Sequence, residues 1–222
     1  MEEHYSRVPL NFGRKIPRIF KAHKKFLTTE PICVRLRHRE NGQQNLKQNK
    51  TNKKFIYLIS PNKIKNKNFY VNLSLVLSTK KVSFFQLRIK KETNRNKLII
   101  GKKIQKICKK YKVKFLINDE PGLAKKLNAD GCHLGQKDMN ILQAKKILKN
   151  KIVGITCHNS IDLAKKAIDG GADYLAFGAF YSSQTKKIKH KAGLKTLRTA
   201  RKMTNIPIVA IGGIKLSNYK KL

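Results

Sequence analysis

Gln86, Arg88 and Lys90 alternate through the apolar run SFFQLRIK. On a strand, a spacing of two puts all three on one face. Other short apolar runs along the chain end in groups of complementary chemistry. Asn118 and Asp119 close KFLIND, Gln136 and Asp138 follow GCHLG, and Thr156 lies in IVGITCH. The loop SSQTKK covers Ser182 to Lys187, and Gly212 and Gly213 fall within PIVAIGGI. Cations, amides, carboxylates and paired glycines brought together suit a polyphosphate. Arg supplies a planar fork and Lys a point charge. A divalent cation can bridge phosphate oxygens to carboxylates through a hard oxygen shell. The glycine pair lets backbone amides approach a second phosphate closely.

Taken singly, these residues have plainer readings. QLRIK reads equally as an amphipathic strand with its charges in solvent, and Asp138 as the N-cap of a helix starting near Ile141, with Asp119 in a similar role. Cys132-His133 and Cys157-His158 bring sulfur and nitrogen to neighbouring strand ends. They lack CxxC or HxxxH spacing, so packed interior residues are preferred to a zinc site.

From Phe55 onward, short β-branched runs alternate with Lys-rich amphipathic segments, the pattern of βα units and a parallel sheet. Seven strands are expected: 55–60, 83–90, 114–119, 131–135, 152–158, 174–180 and 207–214. Helices are expected over 94–111, 122–127, 141–148, 160–169 and 194–203, with Ser160 as an N-cap and Gly170-Gly171 as a stop. NADGCHLG and GGADYLAFG repeat one order of residues, which suits a (βα)8 barrel. A doubly wound sheet would want a GxGxxG or P-loop, and neither is present. In a barrel, polar residues at strand ends point into the catalytic mouth.

The chain carries 51 Lys plus Arg against 12 Asp plus Glu, a formal charge of +39. The excess runs its whole length, with 14 against 4 in residues 1–54 and 37 against 8 in the rest. That spread, without an aromatic-interleaved basic motif, reads as a bias toward lysine on tolerant surfaces and argues against a nucleic-acid partner. Residues 1–54 lack sustained periodicity and are read as a basic, disordered or loosely attached extension. No run approaches the ~18 apolar residues of a membrane span. Four dispersed cysteines suit reduced thiols, so a cytoplasmic protein is expected.

QLRIK, FLIND, ADGCHLGQKD, VGITCH, GADYLAFGAF, the Thr-Lys of SSQTKK and IPIVAIGGI resemble, in order and spacing, the thiamine-phosphate synthase family, over about residues 55–222. The resemblance implies a TIM barrel that joins a hydroxymethylpyrimidine diphosphate to a thiazole phosphate and releases pyrophosphate. It places the pyrimidine diphosphate on Gln86, Arg88, Lys90, Asn118, Thr156 and Lys186, with Arg88, Lys90 and Lys186 as the catalytic cations. It assigns Mg2+ to Asp119 and Asp138, and the thiazole phosphate to Ser183, Thr185 and Gly213. The reaction it implies is dissociative: the diphosphate leaves first, and the thiazole nitrogen captures the pyrimidine cation. No protein nucleophile is then needed, and no Ser-His or Cys-His pair suggests one.

Two departures from the family pattern stand out. Ile89 replaces the Glu frequent within QLREK and is expected to face away from its neighbours, as a packing change. Ser183 replaces the first Thr of TxT and keeps a hydroxyl. After Ile214 only KLSNYKKL remains, so an eighth strand and helix are expected to be missing. The open edge would leave the chain impaired unless a partner closes it or the sequence is a fragment. The tautomerase paralogue of the family carries a His where Ala179 stands here, so synthase is preferred. A basic RNA-binding protein would account for the charge but not for the ordered strand-end motifs.

Overall fold

The runs expected as strands form one barrel in the computed structural model, which describes residues 32–35, 54–64, 66–182, 190–215 and 217–222. In chain order the elements are β1 (Ile32–Arg35), β2 (Lys54–Ile59), α1 (Asn68–Ser78), β3 (Val82–Leu87), α2 (Asn94–Lys110), β4 (Lys114–Asn118) and α3 (Pro121–Lys126). There follow β5 (Gly131–Leu134), α4 (Ile141–Leu148), β6 (Ile152–His158), α5 (Ile161–Asp169), β7 (Tyr174–Phe177), α6 (Leu194–Met203) and β8 (Ile208–Ala210). A 3-10 turn spans Tyr219–Lys221.

Strands β2 to β8 are parallel to their neighbours in sequence order. An eighth parallel strand, expected to be missing, is absent among the described residues. Its place is filled by β1, which pairs antiparallel with β2 on one side and with β8 on the other. The barrel is therefore closed, where the sequence suggested an open edge. Most of the stretch expected as an extension, residues 1–54, lies outside the described residues; β1 falls within it.

The strands read as unbroken apolar runs because both of their faces are covered. Every residue of β5, β7 and β8 is buried. Helices cover the outside, and their apolar positions recur one turn apart. In α2, Lys97, Gly101, Ile104 and Cys108 face inward, and the Thr93 hydroxyl caps the helix by accepting from the Asn96 amide at 3.2 Å. Ser160 caps α5 as expected, accepting from the Leu163 amide at 3.1 Å. Helix α1 was not among the expected helices. It buries Phe69, Leu73 and Leu77 at a spacing of four, yet NFYVNLSLVLS holds no charged residue, so it lacks the alternation of lysine and apolar positions that marks the others.

Candidate functional site

Site residues gather where the parallel strands end, because each strand delivers its last side chains to the same rim of the barrel. Strand β3 stops at Leu87, and Arg88 and Lys90 follow in the next turn. The Arg88 amide donates to the Ser60 hydroxyl at 2.8 Å, and its guanidinium bonds the Asn62 side chain. Ile89 between them is 4% exposed, so its side chain packs into the core as expected for a position facing away from Arg88 and Lys90.

Lys90 Nζ lies 2.5 Å from Asp119 Oδ2. Asp119 follows the end of β4 in a left-handed conformation, φ 63°, and its amide donates to the His133 carbonyl at 2.8 Å. Asp138 sits on the turn after β5, where one of its oxygens accepts from the Gly135 amide at 2.6 Å. The Asp119 and Asp138 carboxyl groups are close enough to act on each other's titration. Burial pushes the Asp119 carboxyl up, but the neighbouring Asp138 and the Lys90 ammonium outweigh it, and the net displacement is downward. Asp138 is displaced upward, by burial first and then by Asp119. Two carboxyl groups this close titrate as a pair and favour a proton or a cation between them.

Behind this rim lies a buried polar chain. Gln86 Nε2 donates to Asn118 Oδ1 at 2.5 Å, and the Tyr57 hydroxyl donates to Gln86 Oε1 at 2.8 Å. Tyr57 and Tyr174 hydroxyls lie 2.8 Å apart, joining β2 to β7 across the barrel interior. Tyr174 meets His133 Nδ1 at 2.7 Å, and His133 Nε2 meets the Thr156 hydroxyl at 2.8 Å. Burial lowers the His133 pKa to about 4, against the pull of the Asp119 charge. The large Tyr174 ring fits because Gly154 on β6 has no side chain; a Cβ there would stand 1.9 Å from the ring.

Residues 56–222 match the family model described as thiamine monophosphate synthase. The chain belongs to that family. Over 177 residues, 80% of this chain and 86% of its relative, it is 75% identical to thiamine-phosphate synthase of Pelagibacter ubique. It is 39% identical over 168 residues to thiamine-phosphate synthase of Nitrosomonas eutropha, covering 75% of this chain and 79% of that one. Among solved structures it superposes on thiamine phosphate pyrophosphorylase from Pyrococcus furiosus with a TM-score of 0.63 at 32% identity, over 72% of this chain and 75% of that one.

Of the family positions expected from sequence, Gln86, Arg88, Lys90, Asn118, Asp119, Asp138 and Thr156 come to one end of the barrel through adjacent strands. Ser183, Thr185 and Lys186 lie outside the described residues. Gly213 is held at φ 66°, and a Cβ there would stand 2.3 Å from the Tyr181 carbonyl oxygen, so this position requires glycine. The capping readings do not hold. Asn140 caps α4, accepting from the Leu142 amide at 2.8 Å, and α3 starts after Glu120 without a side-chain cap. Asp119 and Asp138 are thereby left for the rim. Glu120 instead pairs with the nearly buried Lys97, Oε1 to Nζ at 2.5 Å.

Cys132 and Cys157 are fully buried, and among the described residues no cluster of three or more His, Cys, Asp or Glu could hold a metal alone. Cys132, Cys157 and His133 are packed in the interior, whereas His158 is only partly buried; His133 also carries a bonding role that sequence reasoning missed, as it missed Tyr57, Tyr174, Ser60 and Asn62. Ser60 ends the run FIYLIS and was a visible signal; the tyrosines sit inside apolar runs and read as core. No helix among the described residues is long and apolar enough to cross a membrane.

Proposed function

We propose that this chain joins 4-amino-2-methyl-5-hydroxymethylpyrimidine diphosphate to thiazole phosphate, forming thiamine phosphate and pyrophosphate. The observation that carries the reading is the convergence of Lys90, Asp119 and Asp138 beside the buried Asn118 amide. Gln86 donates to Asn118 Oδ1, which leaves the Asn118 nitrogen without a partner among the described residues and available to a phosphate oxygen. Arg88 and Lys90 stand at the same rim to receive charge from a departing diphosphate.

A magnesium ion fits this rim. Asp119 and Asp138 would hold it, being hard oxygen donors so close that one raises the pKa of the other. Such a cation supplies charge neutralisation to a diphosphate leaving group. It needs oxygens beyond these two carboxylates, and a substrate diphosphate and water would provide them.

The chain's own residues then do the following. Arg88, Lys90 and Lys186 bind the diphosphate and lower the cost of the negative charge that builds on it as the methylene carbon–oxygen bond breaks, the electron pair going to oxygen. Ser183, Thr185 and the close-packed backbone at Gly213 hold the thiazole phosphate, so that the ring nitrogen meets the pyrimidine cation and forms the new carbon–nitrogen bond. No side chain is asked to act as a nucleophile. The cysteines accord with this: burial raises all three described thiols, Cys108 and Cys157 to about 12, so they stay protonated at neutral pH. The substrates are small and charged, and a cytoplasmic location goes with this reading.

The test is incubation of the two phosphorylated precursors with Mg2+ and the purified chain, with thiamine phosphate measured by chromatography. Product formation that disappears with Asp119→Ala supports the reading. No product, or turnover unchanged by Asp119→Ala, overturns it. Ala179 stands where the tautomerase paralogue places its histidine, so no thiazole tautomerisation is expected from the same preparation.

A further inference from the structure

Six consecutive parallel strands, β2 to β7, each contribute one polar side chain to a single hydrogen-bonded chain inside the barrel. Its order is Asn118, Gln86, Tyr57, Tyr174, His133, Thr156, with successive contacts of 2.5, 2.8, 2.8, 2.7 and 2.8 Å. Four of the six are at most 7% exposed and Asn118 is 8% exposed, while Thr156 is half-buried at the rim. Its ends, Asn118 and Thr156, are two positions read above as substrate contacts.

Counting hydrogens fixes the direction of every link. Gln86 spends its Nε2–H on Asn118, so its Oε1 accepts from the Tyr57 hydroxyl. Tyr57 has one hydroxyl hydrogen and has now used it, so Tyr174 must donate across the barrel to Tyr57. Tyr174 has then used its own hydrogen and must accept from His133, which places the imidazole hydrogen on Nδ1. The ring is enclosed, and both its nitrogens meet neutral hydroxyls, which favours the uncharged form. Nε2 is therefore a lone pair, and the Thr156 hydroxyl donates inward to it.

We propose that His133 is a positioning residue, held as its Nδ1–H tautomer by Tyr174 and Tyr57, that turns the Thr156 hydroxyl inward and so sets the lone pairs Thr156 offers to the substrate. At the other end the same chain turns the Asn118 NH2 toward the rim. The two ends are coupled: the unliganded site offers a donor at Asn118 and an acceptor at Thr156, and one end cannot reverse without the chain between them. Nothing in the chain is charged, so the arrangement supplies direction without adding to the charge at the rim. The proposal rests on the reading of Thr156 as a substrate contact.

Two arms test it on the full-length chain. In the first, histidine is 15N-labelled and the ring nitrogens are observed by NMR, with His133→Gln assigning the His133 signals among the six histidines. The wild type is expected to carry the hydrogen on Nδ1. Tyr57→Phe frees the Tyr174 hydrogen to be donated to Nδ1, so the hydrogen should move to Nε2 although His133 itself is untouched. A wild-type ring protonated on Nε2, or a tautomer indifferent to Tyr57→Phe, overturns the proposal. This arm needs no turnover, so it decides the chain's direction even if no thiamine phosphate is formed and the functional reading fails.

The second arm is a kinetic cycle. His133→Gln is expected to lower kcat by about tenfold to a hundredfold in the wild type and to cost little further on top of Thr156→Val, because His133 acts through Thr156. Losses that multiply independently overturn it. His133→Asn repeats the cycle should His133→Gln fail to fold, and the same lack of further loss on Thr156→Val is expected.

Discussion

Lys90 Nζ and Asp119 Oδ2 stand 2.5 Å apart, so a cationic side chain already meets the carboxylate that the family reading gives to magnesium. Asp138 completes the local charge arrangement, close enough to Asp119 to act on its titration. Removing the Asp138 charge relieves a repulsion while leaving Lys90 in place. Asp138→Asn is therefore expected to fold with an unchanged or slightly higher Tm, while Mg2+-dependent turnover falls by about 10²-fold or more. Thermal melts beside initial rates at several Mg2+ concentrations check both halves. A fall in Tm matching the fall in rate would point to a structural role instead.

The same pair gives stability a signed pH dependence. Asp119 is displaced below its ordinary value, so its contribution is present above the unfolded-state pKa and is lost as pH falls through the folded one. Asp138 is displaced upward, so its contribution is present at low pH and is lost as pH rises through its folded value. The two oppose each other in the acidic range. In Asp138→Asn only the Asp119 contribution remains, apart from the rest of the chain's carboxylates, and stability should fall more steeply on acidification than in the wild type. Urea midpoints between about pH 3 and pH 6 read the difference.

Lys97 and Glu120 meet at 2.5 Å, with the Lys97 side chain 11% exposed and that of Glu120 37%. Glu120→Gln leaves a nearly buried ammonium without its carboxylate, whereas Lys97→Met removes the buried charge and fills the space with an apolar chain. Glu120→Gln should destabilise by about 1–3 kcal/mol, and Lys97→Met by less, or not at all. Urea unfolding of both variants at neutral pH measures the order, and the reverse order would show that the pair is held for its mutual attraction.

The parallel strands were legible because burial on both faces leaves an unbroken apolar run, as in KFLIND and YLAFGAF. Helices α2 and α5 were legible through apolar periodicity, and α5 also through its Ser160 cap. Helix α1 was not, because its eleven residues contain no charge to mark an outer face. Strand β1 was not legible either: ICVR lies in a largely polar stretch, and its place is fixed by pairing with β2 and β8, a relation that no local pattern carries. In the site, Gln86 and Asn118 lie at strand ends, whereas Arg88 and Lys90, expected on the strand, follow it in a turn. The chain through Tyr57, Tyr174 and His133 escaped notice because a tyrosine or histidine inside an apolar run looks like core, and only the bonds across the barrel give it direction.

Gly213 is held at φ 66° with carbonyl oxygens of Tyr181 and Ser182 at 2.3 and 2.5 Å from where a Cβ would lie. Backbone cannot yield as a flexible side chain can. Gly213→Ala should destabilise by about 1–3 kcal/mol and should also raise KM for the thiazole phosphate more than for the pyrimidine diphosphate, because the shifted segment belongs to the proposed thiazole-phosphate side. Separate titration of the two substrates checks this. Equal effects on both would place the damage in the fold alone.

Strand β1 sits between β2 and β8 with four register pairs on one side and two on the other. Without it, both neighbours would present unpaired backbone at a lengthwise gap in the barrel, a template for association with another chain. Deleting residues 1–53 is therefore expected to lower the unfolding midpoint and to promote aggregation at micromolar concentration, read by light scattering alongside a urea titration. Val34→Pro, which removes one backbone donor and constrains the strand, should reproduce much of the deletion's effect. A deleted chain that stays monomeric with an unchanged midpoint would show that β2 and β8 close the gap without β1.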